Sequence, residues 1–419
     1  MVSEIPKVEI GASTIHVSDG NYSSKYPKSH EFLESGIPFV SANNLRDGRI
    51  IRDNLKFISE VQHAALRKGH VRTGDVLLVT RGSLGLTALV TSEFNDVNIN
   101  AQLVLLRADN ITVDARYLFF VANSPDFQSQ VIRNASGTAQ PQLPIGPLKR
   151  LTIPLPLISI QRRIAGILSA YDELIENSQR RIKILESMAR ALYREWFVHF
   201  RFPGHESVPR VPSPLGEIPQ GWEVRPFGEI YNTSSGGTPS RKRPEYFDGG
   251  SIDWVKSQEL LDKFILSTEE RITPDAIANS SAKVFPPNTV LVALYGATIG
   301  MLAIISGEAA TNQACCAVLP KSSAYGREFA FLTLLTNRER IIGLRLGAAQ
   351  QNISQVLLRN FECIKPPTKI ATQFAEHVSP LFDGILNLQR QIQNLRRTRD
   401  LLLPRLLSGQ IDVEALDHA

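Results

Sequence analysis

Cysteine is almost missing from this chain of 419 residues: only Cys315, Cys316 and Cys363 occur. The adjacent pair lacks CxxC spacing and has no histidine cluster beside it. All three are therefore expected as small buried hydrophobes in a reducing compartment. Catalytic signatures are missing as well. No Gly-Lys dipeptide occurs, which excludes a P-loop, and there is no GxGxxG after a strand, no HExxH and no GxSxG. An Asn/Asp-Pro-Pro-aromatic loop of the adenine-methyltransferase type is also absent, since "PPNT" at Pro286 has the wrong order. The eight histidines (His16, His30, His63, His70, His199, His205, His377, His418) are scattered along the chain. Each is expected at the surface or satisfied in a core, so no metal site and no catalytic residue is expected. The start "MVSEIPKVEI" is too polar for a secretion signal, and the expected location is the cytoplasm.

What is present suits several folded domains. The length exceeds one ordinary core, hydrophobic residues make up 43% and charged residues 21%. Forty-six Lys and Arg against 41 Asp and Glu give +5, a mild excess whose clustering matters more than its size. The run "TVLVALYGATIGMLAIIS" (Thr289–Ser306) is long enough to resemble a membrane span, but Gly296 and Gly300 interrupt it and β-branched residues dominate. Two buried strands joined by a glycine turn fit better. The first half has a matching run, "DVLLVTRGSLGLTALVT" (Asp75–Thr91), with Arg81 at the turn.

That match is one of an ordered series at an offset of about 210 to 215 residues. "IPFVSANNL" at Ile37 corresponds to "IDWVKSQEL" at Ile252, and "NINAQLVLL" at Asn98 to "ATNQACCAVL" at Ala309. "GTAQPQL" at Gly137 corresponds to "GAAQQNI" at Gly347, "IPLPLISIQ" at Ile153 to "IKPPTKIATQ" at Ile364, and "SQRRIKIL" at Ser178 to "LQRQIQNL" at Leu388. A duplicated unit accounts for the series.

Each unit begins with a mixed part. Short β-branched runs (Ile37–Val40, Val76–Thr80, Leu86–Val90, Leu103–Leu106) alternate with turns, and one helical stretch covers Asp114–Val131. Each unit ends in a long heptad seam. The first steps by four and three through Ile164, Leu168, Tyr171, Ile175, Ser178, Ile182, Leu185, Ala189, Leu192 and Trp196. The second runs through Phe374, Val378, Leu381, Ile385, Leu388, Ile392, Leu395, Arg399, Leu402 and Leu406. Only Ser178 and Arg399 are polar, and the pattern persists over more than four heptads. The two helices are expected to pack on each other as an antiparallel coiled coil about 50 Å long. Pro380 is expected to kink or restart the second helix. The segment from Arg201 to Trp222 carries five prolines and reads as a semi-rigid linker. The expected organisation is a globular part at 1–157, a helix at 158–200, the linker at 201–222, a second globular part at 223–369, a helix at 370–410 and a tail at 411–419. The fold class is α+β: two duplicated globular units joined by two long helices, with pseudo-two-fold symmetry.

Several loops carry groups suited to nucleic acid. "SSGGTPSRKRPEY" (Ser234–Tyr246) combines flexible glycines with Thr238, Ser240, Arg241, Lys242 and Arg243. Its first-half counterpart, "SDGNYSSKYPKSHEF", contributes Tyr22, Ser24, Lys25 and Lys28. Hydroxyls and amides bond phosphates, and Arg reads guanine bidentately. Asn43, Asn44 and Arg46 follow one strand, and Lys256 and Gln258 follow its counterpart; Asn and Gln suit adenine. Arg81 and Ser83 occupy one glycine turn, Tyr295 and Thr298 the other. Gln140 aligns with Gln350. Buried, such an amide satisfies nearby backbone; exposed, it reads a base edge.

Together these residues resemble the specificity subunit of Type I restriction-modification enzymes. The resemblance rests on "EIPQGWE" (Glu217–Glu223), "FGEI", "SGGTPSRKRPEYFDGGSIDWV", "TNQA", "GAAQQNIS" and "LLLPRLLSGQI", and covers nearly the whole chain. It implies two target recognition domains that each read half of a split DNA sequence. It also implies helices that set the spacer, dock methyltransferase subunits and carry restriction-translocase subunits with them. S-adenosylmethionine, ATP and Mg would belong to those partners, and this chain would hold no cofactor. A coiled-coil adaptor that binds only protein is the alternative. The first unit lacks the "IPxGWE" lead, which puts its first strand in question.

Overall fold

The computed structural model describes residues 5–20, 24–137, 140–344 and 352–414. Tyr22 and Gln350 lie outside them. The chain forms two compact units: Met1–Ile175 with Asn394–Ala419, and Glu176–Gln393.

In the first unit the run Val76–Val79 is buried at every position. Its alternation decides which layer each residue meets. Val76 and Leu78 join Val104, Leu106, Tyr117 and Phe127 in one core. Leu77 and Val79 join Leu103, Leu105, Val40 and Ile99 in another. The strand therefore sits mid-sandwich, in a four-stranded sheet ordered His16–Asp19, Leu103–Arg107, Val76–Val79, Thr87–Leu89. Helices cover one face. A second sheet, Lys56–Ile58, Ile37–Val40 and Asn98–Ile99, covers the other.

The helical stretch is two helices rather than one: Ala115–Ala122 and Pro125–Arg133. Ser124 accepts a hydrogen bond from the Phe127 amide and Pro125 takes the first turn, so a new helix starts where the first stops. The first strand, Lys7–Glu9, is present despite the missing lead and pairs antiparallel with Thr152–Pro154.

The second unit repeats this order. Glu223–Pro226 pairs with Glu362–Lys365. A sheet of Tyr231–Ser235, Cys315–Pro320, Val290–Ala293, Leu302–Ile305 and Lys263–Ile265 lies beside one of Arg271–Ile272, Ile252–Val255, Ala309–Thr311 and Val284–Phe285. The suspected membrane span is the buried hairpin Val290–Ala293 and Leu302–Ile305, turned by Gly296 (φ 83°) and Gly300 (φ 79°). No helix among the described residues is long and apolar enough to cross a membrane. All three cysteines are buried thiols; burial pushes those of Cys316 and Cys363 up to about 12 and that of Cys315 still higher.

The proline-rich segment is more than a linker. Arg210–Ser213 and Gly216–Pro219 form an antiparallel hairpin around Gly216 (φ 97°). Phe200 and Phe202 pack on Trp222 nearby.

The long helices are Ile158–Tyr193, of 36 residues, and Thr368–Leu407, of 40. In the first unit Ile164, Ala165 and Leu168 share a core with Leu403, Leu406 and Leu407, with Leu402 packed against it. In the second unit Ala189 and Tyr193 share one with Phe374, Val378, Phe382 and Ile385, flanked by Ile182, Leu185 and Leu192. The start of one helix thus meets the end of the other, and the pairing is antiparallel. Ile175, Leu388 and Ile392 are buried and Leu395 is half-buried. The buried stripe is wider than the a/d seam, because Phe382, Leu386 and Leu403 enter it from neighbouring positions.

Arg399, the charge in the seam, meets Asp172 of the other helix at 2.5 Å. Pro380 does not restart the second helix, which runs unbroken through it. Proline removes one amide donor, at a cost of about 3 kcal/mol in a helix interior. Buried Val378 and Phe382 on either side and the Ser379 hydroxyl, which donates to Glu328 at 3.0 Å, hold the turn in place.

Candidate nucleic-acid interface

The glycine turn of the first unit and the "GTAQPQL" segment are one structure. Ser136 and Gln142 exchange backbone hydrogen bonds at 2.8 Å each. The Leu143 amide then donates to the Thr80 carbonyl at 2.8 Å, and that of Gly82 to Pro141 at 3.2 Å. Gly82 (φ 86°) and Gly85 (φ 85°) supply the backbone conformation. Arg81 lies in this seam, and its guanidinium donates to the Gln142 side-chain oxygen at 3.0 Å. A half-buried cation with a fixed direction results. Ser83 and Gln140 are exposed beside it.

The second unit repeats the joint. The Ile353 amide donates to the Leu294 carbonyl at 2.8 Å, as Leu143 does to Thr80. Tyr295 therefore stands where Arg81 does, half-buried, and burial raises its phenol above the usual range. Thr298 is half-buried in the same turn.

The turns after the paired strands also correspond. Ala42–Asn44 and Ser257–Glu259 are single 3-10 turns. Asn44 has a different job from the one expected. Only 1% of it is exposed, its oxygen accepts from the Ser41 amide (3.0 Å) and hydroxyl (2.8 Å), and its nitrogen donates to the Asp53 carbonyl at 3.0 Å. Its hydrogen-bonding capacity is spent internally, as a cap. Glu259 does the same for Lys256, accepting from its amide at 2.7 Å. Asn43 and Gln258 occupy the same exposed place in the two turns. Arg46 is exposed at a cleft with Asp47, Leu86 and Asn123.

The basic loop of the second unit is less free than its composition implies. The Gly236 and Gly237 pair is tightly packed, not flexible: a Cβ there would come within 2.1 Å of the Thr311 carbonyl oxygen and 2.3 Å of Ser281. Arg241 bonds Glu270 at 2.6 Å and lies 4.4 Å over the Phe247 ring. Lys256 bonds Glu269 at 2.8 Å and Glu270 at 3.0 Å, which raises its ammonium and lowers the Glu269 carboxyl; that of Glu270 is lowered first by Arg241 and then by Lys256. Gln258 reaches Glu269 at 3.4 Å. Arg243 bonds Glu245 at 2.8 Å and stacks on Tyr246. Thr238 hydrogen-bonds Gln313. Lys242 and Ser240 are exposed, and Lys242 has no ion pair among the described residues. In the first unit Ser24, Lys25 and Lys28 are exposed on a loop anchored by Tyr26, whose ring meets Phe39 edge-on at 5.6 Å.

Sequence reading missed Gln142 as the partner of Arg81; its place in the repeat was the only signal. It also missed Gln161, buried at the start of the first long helix. Its side chain accepts from the Asp114 amide at 2.9 Å and donates to the carbonyls of Thr112 (2.9 Å) and Pro156 (2.7 Å). Two of the scattered histidines, His63 and His70, are brought ring to ring with centroids 4.4 Å apart.

Both halves of the sequence match the Type I restriction modification DNA specificity domain, over residues 21–187 and 219–397. The chain belongs to this family. The Type I restriction enzyme MjaIX specificity subunit of Methanocaldococcus jannaschii is 26% identical over 401 residues, 93% of this chain and 90% of that protein. The HindI specificity subunit of Haemophilus influenzae is 21% identical over 439 residues, covering 90% and 94%. The crystal structure of the S subunit from a Type I restriction-modification system of M. genitalium shares the fold, with a TM-score of 0.61, 96% of each chain covered and 16% identity.

Proposed function

We propose that this chain is the non-catalytic DNA-reading subunit of a Type I restriction-modification complex. Each globular part reads one half of a bipartite target. The long helices set the spacing and dock methyltransferase subunits, and restriction-translocase subunits join that core. S-adenosylmethionine, ATP and Mg act on those partners.

One observation carries the reading: the same scaffold occurs twice and presents different side chains at the same two places. Arg81 in the first unit corresponds to Tyr295 in the second, and Asn43 corresponds to Gln258. A guanidinium suits guanine N7 and O6 and a phenol lacks that fork, so the two units are equipped for different base pairs at this place, while Asn43 and Gln258 are both amides suited to adenine. Lys242, Lys25, Lys28, Arg46, Ser24, Ser83, Ser240, Thr298 and Gln140 are exposed or rim positions suited to phosphate and groove contacts. Arg241 and Lys256 are held by Glu269 and Glu270, carboxylates standing where phosphate oxygens would stand on DNA. Arg243 pairs with Glu245 in the same way. Thr238 is tied to Gln313 and helps shape the loop.

The test is methylation by the complex reconstituted with modification subunits on a library of split sites. Arg81→Ala relaxes one half-site by a factor of about 5 to 150, the equivalent of about 1–3 kcal/mol, and leaves the other half unchanged. Methylation with no preference for any bipartite site sinks the proposal.

A further inference from the structure

His63, His70 and Asp96 come from three separate segments. His63 lies on the helix Glu60–Ala65, His70 on the loop entering the core at Val71, and Asp96 in the turn before Asn98–Ile99. The His63 Nε2 is 3.6 Å from Asp96 Oδ2, and the His70 Nδ1 is 3.6 Å from Asp96 Oδ1. The ligand-type atoms all lie within 4.8 Å of one another. Around a tetrahedral zinc with bonds of about 2.0–2.2 Å, neighbouring ligand atoms stand about 3.4 Å apart, so small rotations bring this set to one centre.

Hydrogen bonds behind the rings hold their orientation. The His63 Nδ1 is 2.5 Å from the side-chain amide of Asn98, whose nitrogen has no other partner among the described residues. The His70 Nε2 donates to the Leu66 carbonyl at 2.7 Å. In both rings the other nitrogen faces Asp96. Histidines oriented by an outer carbonyl or carboxamide are the usual support of a metal centre. Asp96 itself holds a left-handed backbone (φ 59°), an uncommon conformation for a residue with a side chain. The histidine side chains are 14% and 32% exposed and that of Asp96 68%, so the open side faces water.

The cluster is particular to the first unit. In the second unit the residue four after the helix cap Thr273 is Ile277, and the partner of Ala310 in the ladder is Val284. These are the places of His63, four after its cap Ser59, and of His70, which bridges Asn98.

We propose that His63, His70 and Asp96 bind one divalent cation of the zinc class, which staples the segment 63–70 to the turn that precedes the strand Asn98–Ile99. Imidazole nitrogens favour zinc over magnesium, and water completes the open side. The test uses the full chain freed of metal with a chelator and titrated with zinc chloride at pH 7.5 by calorimetry, with thermal unfolding in parallel. One equivalent is expected to bind and to raise the first melting transition, while magnesium does neither. The variants are His63→Ala with His70→Ala, and separately Asp96→Asn, which changes an exposed side chain and leaves the core intact. Each is expected to lose the equivalent or bind it at least tenfold more weakly. No uptake by the natural chain, or undiminished uptake in either variant, overturns the proposal.

Discussion

At the residue scale, the decisive side chains are those whose partners lie far away in sequence. Gln161, itself buried, joins the first long helix to the loop around Thr112 and to Pro156 through three hydrogen bonds. Gln161→Leu keeps the bulk but leaves these groups unpaired, at about 1–3 kcal/mol for each one that water cannot reach. Urea unfolding should show the first unit melting at lower denaturant with the second unchanged. Glu186 tests electrostatics. Burial pushes its carboxyl up, with Arg190 pulling the other way. A folded value raised above the unfolded one stabilises fully below the unfolded pKa and is lost as pH rises through the folded one. Glu186→Gln should therefore raise the melting temperature at pH 8 and match the natural chain near pH 4. Of the polar groups, an exposed residue such as Asn43 was legible as a candidate from its place after a strand. Asn44, one step on, was not separable from it, because only the folded turn buries it.

At the element scale, periodicity was the strong signal. The heptads located both long helices, and the short apolar, β-branched runs "VLLV" and "VLVA" before glycine turns located the central strands. Three features escaped. The break at Asn123–Ser124 was signalled by "NSPD", a serine cap followed by proline at the first turn, and was passed over, while the hairpin Arg210–Ser213 with Gly216–Pro219 was masked by prolines that tolerate edge pairing. The unbroken helix through Pro380 depends on packing, which outweighs a local propensity. The helix pair is close at Gly384, where an added Cβ would meet a Leu185 methyl at 3.3 Å. Leu185→Asp places a carboxylate at this joint, and Leu395→Asp places one farther along the second helix. Either variant should lose co-purification with methyltransferase subunits while far-ultraviolet circular dichroism retains the globular parts. Assembly that survives both would show that the pairing does not carry docking.

At the scale of the whole molecule, duplication makes the prediction about DNA. Glu270 neutralises Arg241 and Lys256 together. Glu270→Gln should release Arg241 while Glu269 still holds Lys256, strengthening binding of the assembled complex to unspecific duplex and steepening its salt dependence by about one counterion. Lys242→Ala should weaken all sequences alike and lower that slope by about one. Fluorescence anisotropy across a salt series measures both. Order along the chain was enough to establish two copies of one unit, the central strands and long helices, and the family, because apolar periodicity and repeat offset are one-dimensional properties. Tertiary structure alone decided which polar groups are spent. Asn44 became a cap, Arg241 and Lys256 became ion pairs, Gln142 became the brace of Arg81, and His63 met His70 and Asp96. Each of those outcomes depends on a partner 3 to 61 residues away being within hydrogen-bond or ion-pair reach, and only the folded chain sets that distance.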